Sequence, residues 1–248
     1  MRDGEGELTG GPASPKDPSP SPAPAFWVAG FQPFTLSDFP GRVAAIVFTQ
    51  GCNFACPFCH NSELIAPPSL LGEWEAEDPG AEAADAAYEA RLTRVRSSLL
   101  ERRRQLDGVV VTGGEPTLQR GLLPFLEWVK SDTGLSVKLD TNGSRPGVVA
   151  KLLERGLLDF IAVDIKAPPK KYPQCSGREA GVQRVWETVE LVARSGVEHL
   201  FRTTMFPSLL DQEDLQEIRS LVPKGSPHIV QEGDETAPFH TAHLYRVF

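Results

Sequence analysis

Residues 42–61 read RVAAIVFTQGCNFACPFCHN, in which a strand-forming run is followed at once by a cysteine cluster. The run is apolar and rich in β-branched residues, which is typical of a strand buried on both faces. The cluster holds three of the four cysteines of the chain, Cys52, Cys56 and Cys59, within eight residues. Thiolates are soft ligands that suit zinc or iron–sulfur clusters. This stretch therefore predicts a metal-binding loop at the end of a buried strand.

The cysteine spacing supplies three metal ligands, which is one fewer than a closed site needs. Structural zinc sites and conventionally held four-iron clusters each take four ligands, so three cysteines leave one metal position open for a substrate. A zinc knuckle completed by His60 or Cys175 is the alternative. It is disfavoured because His60 directly follows Cys59, where its geometry would be poor, and because Cys175 lies in a remote loop rich in proline and lysine. Cys175 is interpreted as incidental.

The composition of the 248-residue chain is that of an ordinary globular protein, with 40% hydrophobic and 23% charged residues. The formal net charge of −8 argues against a broad nucleic-acid-binding face. No apolar run approaches the roughly 20 residues that cross a bilayer. We therefore expect a cytoplasmic protein with no nucleic-acid partner and no membrane partner. In that reducing compartment, clustered cysteines indicate a metal-binding or catalytic role and not a disulfide framework.

The two ends of the chain lack the pattern of packed secondary structure. Residues 1–25 carry six prolines among polar residues and are predicted to be a disordered tail. Residues 26–232 are predicted to form one folded domain, in which residues 72–90 are an acidic, alanine-rich insertion whose later part is expected to be helical. Residues 233–248 show no clear strand or helix and are expected to be an irregular tail.

Strand-forming and helix-forming segments alternate along the folded domain. Counting from Val43, six strand-forming runs are separated by segments of helical spacing, and residues 28–42 precede them as a short extended lead-in broken by prolines. Such alternation predicts parallel strands joined by right-handed crossovers in an α/β fold. The pattern alone is compatible with part of a barrel and with an open doubly wound sheet.

Five of the six predicted strands have a polar cluster at or directly after their carboxyl end. The first of these clusters is the cysteine loop. After the cysteines they are, in chain order, Gly113-Gly114-Glu115-Pro116, Asp140-Thr141-Asn142-Gly143, Asp164 with Lys166, and Arg202 with Met205. The carboxyl ends of parallel strands meet at one edge of the sheet, and ligands of such folds bind there. We therefore predict a single site built from all five clusters.

These motifs carry a resemblance to a known family. CNFACPFC at residues 52–59, GGEP at 113–116 and DTNG at 140–143 resemble the signature of the radical S-adenosylmethionine (SAM) superfamily. Residues 34–61, FTLSDFPGRVAAIVFTQGCNFACPFCHN, are more specific and resemble the activating enzymes of glycyl-radical enzymes, most closely the anaerobic ribonucleoside-triphosphate reductase activating proteins. The likeness covers residues from about 30 to 230. It implies a partial (β/α)6 barrel of the TIM type with parallel strands.

The resemblance also implies the chemistry of an oxidoreductase. Cys52, Cys56 and Cys59 would hold a [4Fe-4S] cluster whose open iron binds the amino and carboxylate groups of SAM. An electron from the reduced cluster would cleave SAM to methionine and a 5′-deoxyadenosyl radical. The radical would take a hydrogen atom from a glycine of a partner glycyl-radical enzyme, expected to be the anaerobic ribonucleotide reductase. A flavodoxin- or ferredoxin-like protein would supply the electron.

Five residues near the cysteines are assigned to SAM by the same resemblance. Phe58 and His60 would border the adenine, although simple packing is the alternative for Phe58. Gly113 and Gly114 would let the backbone approach the ligand without a Cβ in the way. Glu115 would accept a hydrogen bond from the amino group of SAM.

Four further residues are assigned to the carboxylate end of SAM. Asp140, Thr141 and Asp164 would provide oxygen ligands for a monovalent cation beside the SAM carboxylate, and Lys166 would face the carboxylate or the ribose. The alternative for Asp140 is that it caps the DTNG turn.

Two other functions stay open at the level of sequence. A radical SAM enzyme could act on a small molecule, for example in the biosynthesis of a modified base. A chain of a different class would be an interaction module with structural zinc, and a colourless protein with one zinc per chain would identify it.

Overall fold

The computed structural model describes residues 26–65, 81–179 and 181–233. The predicted N-terminal tail, the first part of the predicted acidic insertion and nearly all of the predicted C-terminal tail lie outside the described residues.

A seven-stranded sheet forms the centre of the molecule, with its strands in the order in which they occur in the chain. They are β1 (Val28–Thr35), β2 (Ala44–Thr49), β3 (Gly108–Gly113), β4 (Ser136–Thr141), β5 (Phe160–Asp164), β6 (Glu198–Met205) and β7 (His228–Glu232). The strands from β2 to β7 are parallel, so the six predicted strand units are confirmed. The extended lead-in is a seventh strand, β1, which pairs antiparallel with β2.

At least one helix lies in every connection between neighbouring parallel strands. The helices are α1 (Ala81–Arg102), α2 (Leu122–Trp128), α3 (Pro146–Glu154), α4 (Tyr172–Ser176), α5 (Val182–Arg194) and α6 (Gln212–Leu221). Short 3-10 turns lie at Ser62–Leu64, Pro116–Leu118 and Pro169–Lys171, and a π-helical turn at Val129–Thr133 extends α2. Residues 81–90 of the predicted insertion belong to α1.

The strand order distinguishes between the two architectures that the sequence pattern left open. A doubly wound sheet reverses its order at a switch point. Here each strand pairs with the next one in the chain, and β1 and β7 are the two edges of the sheet within the described residues. The sheet is therefore an open segment of a barrel, and the expected partial (β/α)6 barrel is confirmed.

The main hydrophobic core lies between the sheet and the surrounding helices. Alternate strand residues such as Val137 and Leu139 face it, and they are fully buried. The core extends to the first described residue, since Phe26 is 2% exposed and stacks on Phe125 with ring centroids 4.4 Å apart. Burying a side chain of this size contributes about 1.5–3 kcal/mol to stability.

Phe39 covers the inner face of the sheet, which is the face away from the helices, near the amino ends of the parallel strands. This side chain is fully buried and packs edge-on against Phe160, with ring centroids 6.1 Å apart. It lies in the turn between β1 and β2, at the amino end of β2 and so at the opposite end of that strand from the cysteines. Part of residues 34–61, the segment with the more specific resemblance, thus fills the end of the barrel opposite the cysteines and lies away from the predicted site.

Candidate active site

The cysteine loop leaves the carboxyl end of β2 and is held by backbone hydrogen bonds. The Gly51 N–H donates to the Leu64 carbonyl (2.8 Å), and the Ala55 N–H donates to the carbonyl of Ser176 at the end of α4 (2.8 Å). The next residue, Gly177, has a φ of +68°, and a Cβ added there would lie 2.0 Å from the Ala55 carbonyl oxygen. Helix α4 therefore clamps the middle of the loop, and only glycine fits at its end.

The three thiols of the loop are free and partly buried. Burial raises the pKa of Cys52 to about 12, and the charge of Glu115 adds to the rise. Burial also raises the pKa of Cys56 and of Cys59, and the nearby Lys166 ammonium opposes the rise at both. Bare thiolates are thus disfavoured, whereas the positive charge of bound iron would stabilise them. The donor set fits a metal cluster.

The described residues can also be compared with the arrangement of a single-metal site. In the part of the chain that the structure describes, no group of three or more His, Cys, Asp and Glu side chains is arranged to hold a metal ion. A [4Fe-4S] cluster takes each thiolate on a different iron, so its ligands stand further apart than those of one zinc ion.

The glycines of the GGEP turn lie against the cysteine loop. The Gly114 N–H donates to the Thr49 carbonyl (3.0 Å), and the Glu115 N–H donates to the Gly51 carbonyl (2.8 Å). A Cβ on Gly113 would lie 2.3 Å from the Thr49 nitrogen, and one on Gly114 would lie 2.0 Å from the Gly51 oxygen. The missing side chains therefore make room for the backbone of the chain itself, which is a different reason from the close ligand approach that we expected. Contact of these glycines with SAM stays a prediction.

Glu115 is fully buried and joins the GGEP turn to the DTNG turn. Its carboxylate accepts hydrogen bonds from the Thr141 hydroxyl (2.7 Å), the Asn142 N–H (2.6 Å) and the Thr117 N–H (3.0 Å). Burial raises the pKa of Glu115, and these hydrogen bonds oppose the rise. The structure gives Glu115 a positioning role that its sequence motif did not indicate. Its predicted contact with the amino group of SAM stays a prediction.

Asn142 connects the DTNG turn to the cysteine loop. Its side-chain N–H group donates to the Asn53 amide oxygen (3.0 Å) and approaches the Cys52 sulfur (4.0 Å). The Phe54 N–H donates to the same sulfur (3.4 Å), and the Asn53 amide donates to the Ser144 hydroxyl (2.9 Å). Asn142 was predicted to lie at the site as part of the DTNG cluster, but its contacts with the cysteine loop were not predicted.

A network of five charged side chains lies on the inner face of β4, β5 and β6. Asp140 accepts hydrogen bonds from Lys138 and from Arg202, the latter over 3.3 Å. Asp164 accepts from Arg202 (2.8 Å) and from Lys166 (3.0 Å). The predicted residues Asp140, Asp164 and Lys166 are therefore brought together. Lys138 was missed, although the alternation of side chains along a strand places a lysine two residues before Asp140 on the same face as that aspartate.

The pKa values of this network follow from its pairing. Burial would raise the pKa of Asp164, but the charges of Lys166 and Arg202 outweigh burial and hold it well below its ordinary value. Burial would likewise lower the pKa of Lys166, but Asp164 and Cys56 hold it above its ordinary value. The pairing therefore favours the charged forms of Asp164 and Lys166, and the Lys166 ammonium in turn lowers the pKa of the nearby thiols.

Phe58 and His60 flank Cys59 in different environments. Phe58 is 6% exposed and stacks on Phe206 with ring centroids 4.5 Å apart, so it packs beneath the loop. His60 is exposed. The predicted contacts of both with adenine stay predictions.

Cys175 lies in α4 and is fully buried among apolar side chains that include Phe54 and Tyr172. Burial raises its pKa to about 11. The Cys175 thiol is therefore enclosed and does not face the solvent. Lys171 beside it pairs with Asp214 at 2.6 Å.

The matched region of the chain identifies its family. The sequence model of the radical SAM superfamily matches residues 46–222, which run from within β2 to just past α6 and include every predicted site residue. The chain belongs to the radical SAM superfamily. This radical SAM protein is thus an enzyme, and its superfamily implies SAM and a [4Fe-4S] cluster.

Relatives of this radical SAM protein carry two kinds of name. It is 27% identical over 215 residues (83% of this chain, 79% of the relative) to a Methanocaldococcus jannaschii protein named as a glycyl-radical enzyme activating enzyme. It is 26% identical over 208 residues (83% and 79%) to the pyruvate formate-lyase-activating enzyme of Clostridium pasteurianum. It is also 28% identical over 216 residues (79% and 80%) to the 7-carboxy-7-deazaguanine synthase of Hyperthermus butylicus.

The fold is also similar to that of a solved structure, Streptococcus suis SuiB bound to S-adenosylmethionine. The TM-score is 0.52 at 14% identity, over 77% of this chain and 40% of that chain. The likeness extends to the fold and spans less than half of SuiB. Of the helices that the structure describes, none has both the length and the apolar character needed to span a membrane.

Proposed function

We propose that this radical SAM enzyme is a glycyl-radical enzyme activating enzyme, which cleaves SAM reductively and leaves a radical on a glycine of a partner enzyme. The proposal rests on the arrangement of the three sequence motifs in the site. The cysteine loop, the GGEP turn and the DTNG turn form a single hydrogen-bonded unit at the carboxyl ends of β2, β3 and β4. Two relatives with activating-enzyme names, each matched over 79% of its length, support the reaction.

In this proposal Cys52, Cys56 and Cys59 hold the [4Fe-4S] cluster, and one iron stays open for the amino and carboxylate groups of SAM. When bound and reduced, the cluster supplies the electron that splits SAM into methionine and a 5′-deoxyadenosyl radical. The chain itself orients the reactants and keeps water away. Burial of the thiols and the stacked pair of Phe58 and Phe206 support the exclusion of water.

The charged network is proposed to receive the carboxylate end of SAM. Lys166 is partly exposed, and it lies close enough to Cys56 and Cys59 to affect the pKa of both thiols. A ligand bound at the open iron would therefore come within reach of its ammonium. Asp164 holds Lys166 in place through their 3.0 Å ion pair.

The proposed partner is a glycyl-radical enzyme, and we infer that it is the anaerobic ribonucleoside-triphosphate reductase. The likeness of residues 34–61 to the activating proteins of that enzyme supports this partner. An open barrel supports it too, because a gap between the edge strands β1 and β7 would admit a loop of another protein. The electron donor is proposed to be a flavodoxin- or ferredoxin-like protein, and the enzyme is proposed to work in anaerobic cytoplasm.

The test is radical transfer in an anaerobic mixture of the reconstituted enzyme, SAM, a reductant and the anaerobic ribonucleotide reductase of the same genome. We expect the electron paramagnetic resonance signal of a glycyl radical on the reductase, and 5′-deoxyadenosine in the solution. The Cys56→Ser variant and a reductase whose radical glycine is replaced by alanine are the controls, and neither should give the radical. If SAM is cleaved but the reductase shows no glycyl-radical signal, the partner assignment is contradicted.

The second candidate is a radical SAM enzyme that acts on a small molecule. The likeness to the 7-carboxy-7-deazaguanine synthase of Hyperthermus butylicus, over 80% of that protein, favours it. The two candidates differ in where the hydrogen atom comes from. SAM cleavage that is accelerated by a small molecule, and not by any glycyl-radical enzyme, would identify the second candidate.

A further inference from the structure

Lys138 is a buried lysine of the charged network in the candidate site. It lies in β4 with its side chain 4% exposed, and its ammonium pairs with Asp140 and lies 5.9 Å from the centre of the Phe160 ring. Burying an ammonium costs free energy unless an opposite charge compensates it. The sequence therefore keeps a positive charge at a position where strands of such sheets ordinarily carry apolar residues.

The protein's own cations engage every carboxylate oxygen of Asp140 and Asp164. In Asp140, Oδ1 accepts from Lys138 and Oδ2 accepts from Arg202. In Asp164, Oδ1 accepts from Arg202 and Oδ2 accepts from Lys166. The oxygens that a monovalent cation would need are thus already paired with positive groups.

Thr141, the third residue expected to bind the cation, is also engaged through its side chain. Its hydroxyl donates to Glu115 (2.7 Å) and accepts from the Gly143 N–H (3.1 Å). The five charged side chains of the network carry a net charge of +1, and a bound metal cation would add to it. These residues do not fit a monovalent cation, which the family resemblance had led us to expect.

We propose that the Lys138 ammonium takes the place of the monovalent cation in this enzyme. It supplies, from within the chain, a fixed positive charge on Asp140 beside the proposed binding position of the SAM carboxylate. The inference rests on the proposed function, because it assigns a charge to the SAM site. SAM binding then needs no added K⁺ or Na⁺, and the net positive charge of the network attracts the carboxylate.

The test compares equilibrium binding of SAM to the cluster-loaded enzyme in K⁺ and in tetramethylammonium, a cation too large to sit between two carboxylates, at equal ionic strength. For the wild type we expect the Kd to change by less than about twofold. Lys138→Met keeps an unbranched side chain but removes the charge. It should bind about tenfold more weakly in tetramethylammonium and recover most of the loss in K⁺.

Lys130→Met is the matched control, because Lys130 also pairs with an aspartate, Asp159, but away from the charged network. Its SAM affinity should equal that of the wild type in both salts. A wild-type affinity that falls about tenfold without K⁺ would overturn the proposal. Failure of K⁺ to restore binding by Lys138→Met would overturn it as well.

A second measurement needs neither SAM nor the cluster. The melting temperature of the cluster-free chain should be the same in K⁺ and tetramethylammonium for the wild type, and about 3 °C higher in K⁺ for Lys138→Met. An equal rise in the wild type would show a metal cation bound beside Lys138 and overturn the proposal. Because this readout is independent of SAM, it distinguishes failure of the Lys138 assignment from failure of the proposed function. If Lys138→Met does not fold, the SAM affinity and melting temperature of the wild type in the two salts still test the proposal.

Discussion

The thiols of Cys52, Cys56 and Cys59 differ from that of Cys175 in their surroundings. The first three share one loop with a charged network beside it, whereas Cys175 is enclosed among apolar side chains. We expect serine at any one of the first three to abolish cluster assembly and SAM cleavage, because each supplies one iron ligand. Iron and sulfide content and 5′-deoxyadenosine formation measure the two effects.

Serine at Cys175 is the control for these variants. It should leave iron content and SAM cleavage intact, with only a small loss of stability. Loss of the cluster in Cys175→Ser alone would show that the ligand assignment is wrong.

Asn142 places an N–H donor near the Cys52 sulfur, and donors to cluster sulfurs set reduction potentials. We expect Asn142→Ala to lower the cluster potential by about 20–60 mV. This range follows from a net hydrogen-bond contribution of about 0.5–1.5 kcal/mol for one electron. A redox titration followed by electron paramagnetic resonance measures it.

Ser144→Ala separates this effect from general loosening of the turn. It removes a hydrogen bond to Asn53 in the same network but leaves the donor at the sulfur. Its potential should stay at the wild-type value. Equal shifts in Asn142→Ala and Ser144→Ala would contradict a direct effect on the sulfur.

Helix α4 is the element that clamps the cysteine loop, and Gly177 at its end is the point of contact. Gly177→Ala combines a positive φ with a collision against the Ala55 carbonyl, so we expect reduced cluster loading and a loss of about 2–4 kcal/mol in stability. Iron content and urea unfolding of the cluster-free chain measure these effects.

Gly156→Ala is the matched control for the backbone strain. Gly156 follows α3 with a φ of +63°, and a Cβ there would have no neighbour within 4 Å. It should cost about 1 kcal/mol and leave cluster loading unchanged. Equal iron loss in both glycine variants would mean that the clamp has no role in the site.

Most of the elements could be predicted because local pattern determines them. Buried strands such as β3 and β5 are short apolar runs, and the helices between them have helical spacing. β1 could not be identified as a paired strand, because Pro33 interrupts it and its pairing with β2 depends on a turn whose geometry the sequence does not show. The choice between barrel and open doubly wound sheet depends on strand order, which the alternation of elements does not contain.

The site was predictable in its position but not in its internal contacts. The five clusters could be placed at one rim because parallel strands end there together. The collision of a Cβ on Gly114 with Gly51, and the enclosure of Glu115, depend on how two loops approach each other in space. Lys138 was missed because a lone lysine in a strand is ordinarily a surface residue.

The whole molecule has its hydrophobic core in place from the first described residue, Phe26. Because residues 1–25 are polar and rich in proline, we expect their removal to change the free energy of unfolding by less than about 0.5 kcal/mol and to leave SAM cleavage unchanged. Phe26→Ala in the full chain is the contrasting variant and should cost about 3 kcal/mol. A large loss of stability on removing residues 1–25 would show that they contribute to the folded domain.

SAM cleavage by the intact molecule tests the central claim most directly. The chain, purified without oxygen and reconstituted with iron and sulfide, is reduced with dithionite and given SAM, and 5′-deoxyadenosine is measured. We predict its formation by the wild type and its absence in the Cys52→Ser, Cys56→Ser and Cys59→Ser variants. A wild-type chain that carries a full cluster, binds SAM and yet releases no 5′-deoxyadenosine, with or without a glycyl-radical enzyme, would contradict the account.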